Sequence, residues 1–167
     1  MRQKTPFPYH KRGNNAVLVA IIMDNSLLST GYPLTILIGD DDPGSLSRTR
    51  EILSKLGYEP DTATSGKTVL EMVSQKEYDL VLLELHMRDS HTYGAMELLR
   101  ARQHAHPLVI GTGLADETKA GIHIACLREG MDHYVAKPLI LKELALQVRA
   151  CSILTGKRRS DGDLKVA

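Results

Sequence analysis

The chain has 167 residues, 43% of them apolar and 25% charged, with a formal net charge of +1. That length suits one domain with its own core, and the near-balanced charge lacks the concentrated basic surface that nucleic acid or an anionic membrane needs. With no Trp and a single Phe, a base-stacking surface is poorly supplied, and no run approaches the ~20 apolar residues of a membrane helix.

Residues 1–33 contain Pro6, Pro8, Gly13-Asn14-Asn15 and Gly31-Tyr32-Pro33. They read as a poorly ordered extension carrying one apolar segment, Ala16 to Met23. Arg2, Lys4, Lys11 and Arg12 precede that segment in the outline of an export signal. The run is short, however, stops at Asp24 and has no small-x-small cleavage pattern behind it. The cytoplasm is the expected setting.

From Thr35 the pattern alternates between apolar runs and amphipathic stretches. Thr35 to Gly39 reads as a buried strand. Asp42-Pro43 reads as an N-cap followed by proline at the first helical position. Leu46, Ile52, Leu53 and Leu56 then form a helical stripe ending at Gly57. Glu59 to Ala63 is a second, more polar strand. Ser65-Gly66 opens a helix with Val69, Leu70, Met72 and Val73, and Leu80 to Leu83 is a third strand. A loop, Leu85 to Tyr93, leads to a helix around Ala95–Arg102, and Pro107 to Ile110 is the fourth strand. A fourth helix around Glu117–Glu129 stops at Gly130. Tyr134 to Ala136 is the fifth strand, and Leu141, Leu144, Ala145, Val148 and Cys151 mark a fifth helix. The domain is expected over 34–155, with 156–167 as a solvated tail.

Alternating strands and helices with continuous apolar strands predict a parallel sheet covered on both faces. The fold class is α/β, a flavodoxin-like (βα)5 three-layer sandwich of sheet order 2-1-3-4-5. Cys126 and Cys151 lie in apolar helical stretches and read as small core residues in a reducing compartment rather than a disulfide.

In such sheets ligands bind beyond the carboxyl ends of the strands. Asp40, Asp41 and Asp42 follow the first strand, Glu84 ends the third, Thr112 the fourth, and Lys137-Pro138 follows the fifth. Clustered carboxylates repel one another unless a cation lies among them. Mg²⁺, which takes hard oxygen ligands, is the natural candidate. An ammonium and a hydroxyl suit phosphoryl oxygens. Asp42 is assigned to capping, and Asp40 and Asp41 to the site. His86 and His91 read as solvated loop histidines.

Four segments in order, Ile36 to Pro43, Tyr78 to Leu83, Pro107 to Gly113 and Gly130 to Pro138, resemble the response regulator receiver domains of two-component signalling. The resemblance spans about residues 34–155. It implies that Asp40 and Asp41 are the acidic pair for Mg²⁺, together with Glu84 and the His86 backbone carbonyl. Glu84 would occupy the phospho-acceptor position. Thr112 would be the switch hydroxyl, Tyr134 the aromatic that moves with it, and Lys137 the lysine on the phosphoryl oxygens. It also implies a histidine kinase or phosphotransfer protein as a partner, a downstream output protein, and a homodimer through the fourth helix, fifth strand and fifth helix.

Three features depart from that family. Glu replaces Asp at position 84, a methylene longer, which favours pairing with Lys137 and reach toward Thr112. The following loop has Met87-Arg88 where the family has Met-Pro. Gly39 replaces a larger apolar residue and is expected to leave room beside the acidic pocket. Three readings follow. The first is a stand-alone atypical receiver, not an enzyme, that acts by protein–protein contact with Glu84 imitating the phosphorylated state. The second is a conventional Mg²⁺-dependent phospho-receiver served by a histidine kinase. The third is a haloacid dehalogenase-like phosphatase using Asp40 and Asp42.

Overall fold

The computed structural model describes residues 33–89, 91–101, 107–114 and 128–163, with side chains as far as residue 156. Strands β1 (Ile36–Gly39), β2 (Asp61–Ala63), β3 (Leu80–Glu84), β4 (Leu108–Leu114) and β5 (His133–Lys137) form one sheet in the order β2-β1-β3-β4-β5. Every pairing is parallel. The helices are α1 (Pro43–Lys55), α2 (Gly66–Gln75), α3 (Thr92–Ala101) and α4 (Leu141–Asp163). The fourth helix read from the sequence, apart from its end at Arg128 and Glu129, lies outside the described residues. So do residues 1–32 and Cys126.

The two-residue period of a strand divides each apolar run between two cores. Ile36, Ile38, Leu80, Leu82, Ile110 and Val135 pack with Ile52 and Leu53 of α1 and Leu144 and Val148 of α4. Leu37, Val81, Leu83 and Val109 pack with Val69 and Val73 of α2 and Ala95, Met96 and Leu99 of α3. Both faces of the central strands are thus buried, which is why their sequences are apolar without alternation. Cys151 is buried in the first of these cores, and its thiol donates to the Asp79 carbonyl at 3.3 Å.

Local chemistry sets the element ends. Asp42 Oδ1 accepts the Ser45 N–H at 2.6 Å, with Pro43 at the start of α1. Gly57 closes the end of α1 in the left-handed region at φ +86. Ser65 Oγ accepts the Thr68 N–H at 3.1 Å at the start of α2.

Four boundaries differ from the sequence reading. The second strand starts at Asp61 rather than Glu59, after Pro60, which has no N–H to donate. β4 runs on through Gly111-Thr112-Gly113 to Leu114, because β3 pairs with it as far as Thr112 and β5 as far as Leu114. α3 starts at Thr92, shortening the preceding loop. The backbone of the expected solvated tail is helical to Asp163.

Gly39 is a correction of substance. A Cβ there would stand 2.6 Å from Val69 Cγ2 and 3.0 Å from Leu83 Cδ1. The position faces the filled core under α2, so the glycine gives close packing rather than room at the acidic pocket. Gly39→Ala is expected to destabilise the domain by about 1–3 kcal/mol through overpacking. In urea unfolding, adding Val69→Ala should give a double variant less destabilised than the sum of the two single changes.

Candidate functional site

Two residues beyond the apolar positions of one face, the same period brings up polar groups. Ile36 and Ile38 lead to Asp40, Leu80 and Leu82 to Glu84, Ile110 to Thr112, and Val135 to Lys137. The α1/α4 face of the sheet therefore changes from hydrocarbon to ionisable groups at its carboxyl rim. The rim opens on a cleft of about 760 Å³ whose lining includes Asp41, Ser45, Arg48, His86 and Leu139.

Asp40, Glu84 and Lys137 are brought together. Lys137 Nζ lies 2.7 Å from Asp40 Oδ2 and is also ion-paired with Glu84 Oε2. The two carboxylate side chains are buried, 3% and 9% exposed, and Lys137 is partly buried. Asp40 Oδ2 accepts a second bond, from the Ser45 hydroxyl at 2.7 Å, and its Oδ1 accepts the Asp42 N–H at 3.0 Å. Glu84 Oε1 accepts the His86 N–H at 3.2 Å. Burial by itself would depress the Lys137 ammonium. Its hydrogen bonds to Asp40 and Glu84, and the charges of both, outweigh that and hold it above the ordinary lysine value.

Asp41 stands apart from this trio. Its Oδ2 accepts the Arg88 N–H at 3.0 Å, with Arg88 Nε 3.6 Å away, which ties the first strand's loop to the one after β3. Thr112 is buried and lies opposite Glu84 in the register of β3 and β4. Its carbonyl accepts the Leu85 N–H at 3.0 Å. Among the described residues no hydrogen bond joins its hydroxyl to Glu84, so the anticipated reach toward Thr112 is not made. Tyr134 has the opposite parity and belongs to the α2/α3 core. Its hydroxyl donates to the Leu114 carbonyl at 3.1 Å. A Cβ on Gly113 would lie 3.4 Å from that hydroxyl and 3.6 Å from Glu84 Oε1, ordinary contact distances that place acid and phenol beside the same point of β4.

Among the described residues, no group of three or more His, Cys, Asp and Glu side chains is placed to hold a metal ion unaided. The charges nevertheless leave a deficit. Asp40, Asp41, Asp42 and Glu84 line the cleft against Lys137 and Arg48. The donors fit a hard dication: Asp41, Glu84 and the His86 carbonyl would hold Mg²⁺, which keeps waters in its remaining positions. Asp40, fully engaged by protein donors, would act behind them.

Two residues escaped the sequence reading. Ser45 was absorbed in the start of α1, although a polar residue one turn inside a helix that faces acidic groups is a usable sign. Asp89 looked like loop polarity, yet it grips α2 from 22 and 23 residues away.

Comparison with known proteins agrees with this fold. A family model described as the response regulator receiver domain matches residues 36–149. The transcriptional activator protein IrlR of Burkholderia pseudomallei is 31% identical over 134 residues, covering 80% of this chain and 56% of that protein. The chain thus spans about half the length of the curated relatives it matches. The receiver domain of sensor histidine kinase PA1611 from Pseudomonas aeruginosa, solved with a magnesium ion in its active-site cleft, superposes with a TM-score of 0.59 at 23% identity, covering 71% of this chain and 98% of that one. The receiver domain of Ssk1 from Saccharomyces cerevisiae, solved with the phosphotransfer protein Ypd1, gives 0.67 at 14% identity, covering 75% and 93%. These structural likenesses are likenesses of fold.

Lys137→Met leaves Asp40 and Glu84 buried without their cation and should cost about 3–5 kcal/mol in urea unfolding at neutral pH. Because the folded lysine value is raised above 10.5, its stabilisation is complete below that pH and is lost as pH rises through the folded value. Native stability should therefore fall in alkali, and the variant should show a shallower fall. The remaining fall includes Tyr78, whose burial and hydrogen bond to Asp61 also hold its phenol above the ordinary value, and Tyr58, raised by burial.

Proposed function

The chain belongs to the response regulator receiver domain family, and from that membership we propose that it is a signalling switch working by protein–protein contact, with Glu84 at the family's phospho-acceptor position. The observation that carries the reading is the Lys137 ammonium bound by Asp40 and Glu84 together. In this family the corresponding lysine meets phosphoryl oxygens. Here a carboxylate one methylene longer than aspartate already reaches it. Glu84 thereby supplies standing negative charge near the place a phosphoryl group would fill.

The other groups take roles consistent with that state. Tyr134, buried with its hydroxyl on the Leu114 carbonyl, is the aromatic arm, and Thr112, beside Glu84 in register, is the switch hydroxyl. Asp41, Glu84 and the His86 carbonyl, with Asp40 behind them, form the Mg²⁺ end of the site, where the ion would neutralise charge. Leu114, Ile140 and Leu141 are 69%, 55% and 47% exposed. They offer apolar contact next to β5 and α4, on the face the family uses for output and for homodimers. The partners in this reading are a cytoplasmic histidine kinase or phosphotransfer protein and a downstream output protein.

A second reading, a working phospho-receiver, draws support from the open cleft beside Glu84. There a Glu84 oxygen would attack phosphorus, the new O–P bond forming as the donor's bond to phosphorus breaks. Displacing the attacking oxygen by a methylene, on the order of 1 Å, costs about a hundredfold where positioning supplies the rate. The phosphatase reading loses its acid, since Asp42 Oδ1 is the cap of α1.

Incubation with a small phosphodonor and Mg²⁺, read by intact mass, separates the two. The proposal expects no phosphoryl adduct on the native chain and a single one on Glu84→Asp. Labelling of the native chain would establish the phospho-receiver instead. Failure of both chains would show that the rim does not support phosphotransfer with either acid.

A further inference from the structure

The loop between Glu84 and α3 must hold its shape without the proline that the family places at position 88. Three fastenings do so. Met87 is buried in the α2/α3 core. The Arg88 N–H donates to Asp41 Oδ2 at 3.0 Å. Asp89 then reaches across to α2, where Oδ1 accepts the Gly66 N–H at 3.0 Å and Oδ2 the Lys67 N–H at 3.1 Å.

That last grip is made to fit. The first N–H groups of a helix have no partner inside it, and Asp89 satisfies two of them from a different element, while Ser65 caps the same helix through Thr68. Gly66 is buried at the contact. A Cβ there would collide with Asp89 Oδ1 and would stand 2.7 Å from the Thr92 backbone N and 3.1 Å from the His91 carbonyl carbon. Two of those neighbours are backbone, so only glycine lets the loop come down on α2. Desolvation alone would raise the Asp89 carboxyl, but bonds from the Lys67, Gly66 and His91 N–H groups hold it below the ordinary aspartate value.

We infer that Asp89 and Gly66 form a staple that positions the loop carrying the His86 carbonyl and the Arg88 N–H, and through them Glu84 and Asp41. Arg88, which donates to Asp41, and Asp89, which grips α2, are consecutive in sequence. Freeing Asp89 therefore loosens the Arg88 bond, and with it the spacing of Asp41 from Glu84. The positioning stands whichever role Glu84 plays. Its functional consequence rests on the proposed reading of the rim.

The test uses the whole chain with Asp89→Ala, Asp89→Asn and Gly66→Ala, followed by amide hydrogen exchange. Asp89→Ala should speed exchange at Gly66 and Lys67 by about fivefold, the effect of losing a helix cap, and should speed the Arg88 amide as well. Asp89→Asn, which keeps one acceptor, should recover protection at one of the two α2 amides. Gly66→Ala should reproduce Asp89→Ala, and the two together should add little. In the Glu84→Asp background, Asp89→Ala should slow phosphodonor labelling about tenfold with the fold intact. Loss of protection at Gly66 and Lys67 with Arg88 unchanged would reduce Asp89 to a helix cap and overturn the inference. If Glu84→Asp takes no phosphoryl group, the proposed function fails, and the Arg88 amide alone still decides the staple.

Discussion

Two carboxylates and one ammonium, drawn from the ends of three strands, meet largely out of solvent at the floor of a cleft, and the rim of this sheet is arranged around that fact. Isolated charges at such depth would be costly to bury, so Asp40, Glu84 and Lys137 are tolerable only together. Their meeting depends on the sheet order, which puts β3 next to β1 and joins β5 through β4. It also depends on parity, since each residue sits two places beyond a side chain of the same core. A one-residue slip in β5 would turn Lys137 to the α2/α3 side and leave the acids unpaired. The apolar register and the ionic site thus specify one another.

Much of this was legible because it follows from period and position. Four apolar runs and one more polar one gave five strands, and the carboxyl-end rule then selected Asp40, Asp41, Asp42, Glu84, Thr112 and Lys137, of which Asp41 and Asp42 stand apart from the ion pair. What was not legible rests on backbone approach. Gly39 reads as a small residue beside acids, and only the placement of Val69 and Leu83 shows which face it lies on. The apolar run of the fourth strand ends at Ile110, whereas pairing with β3 as far as Thr112 and with β5 as far as Leu114 keeps the chain extended beyond it. The grip of Asp89 on Gly66 joins residues 23 apart across two loops, a distance over which neither propensity nor periodicity carries information.

The acceptor position shows why a carboxylate's length matters here more than its charge. Aspartate and glutamate carry the same charge, so the difference lies in where the oxygens stop. In this chain one Glu84 oxygen is held by the His86 N–H and the other by Lys137. The side chain is therefore fixed at both oxygens, and the extra methylene is spent in reaching the lysine. Glu84 Oε1 and the Tyr134 hydroxyl both come within ordinary van der Waals range of a Cβ built on Gly113, so acid and aromatic arm approach the same point of β4.

On the proposed reading, this changes what can regulate the domain. A phosphorylated receiver is populated by transfer and emptied by hydrolysis, so rates set its state. A glutamate bound to lysine is an equilibrium structure. Whatever shifts it must bind its two forms with different affinity, and can shift it by no more than that difference. Moving such an equilibrium from one side to the other takes about 5.5 kcal/mol of differential binding. A buried ion pair whose carboxylates also accept bonds from Ser45, Asp42 and His86 resists smaller pushes. Control then passes from chemistry at Glu84 to the partner, through its affinity and abundance. The exposed Ile140 and Leu141 beside β5 are where that affinity would be built.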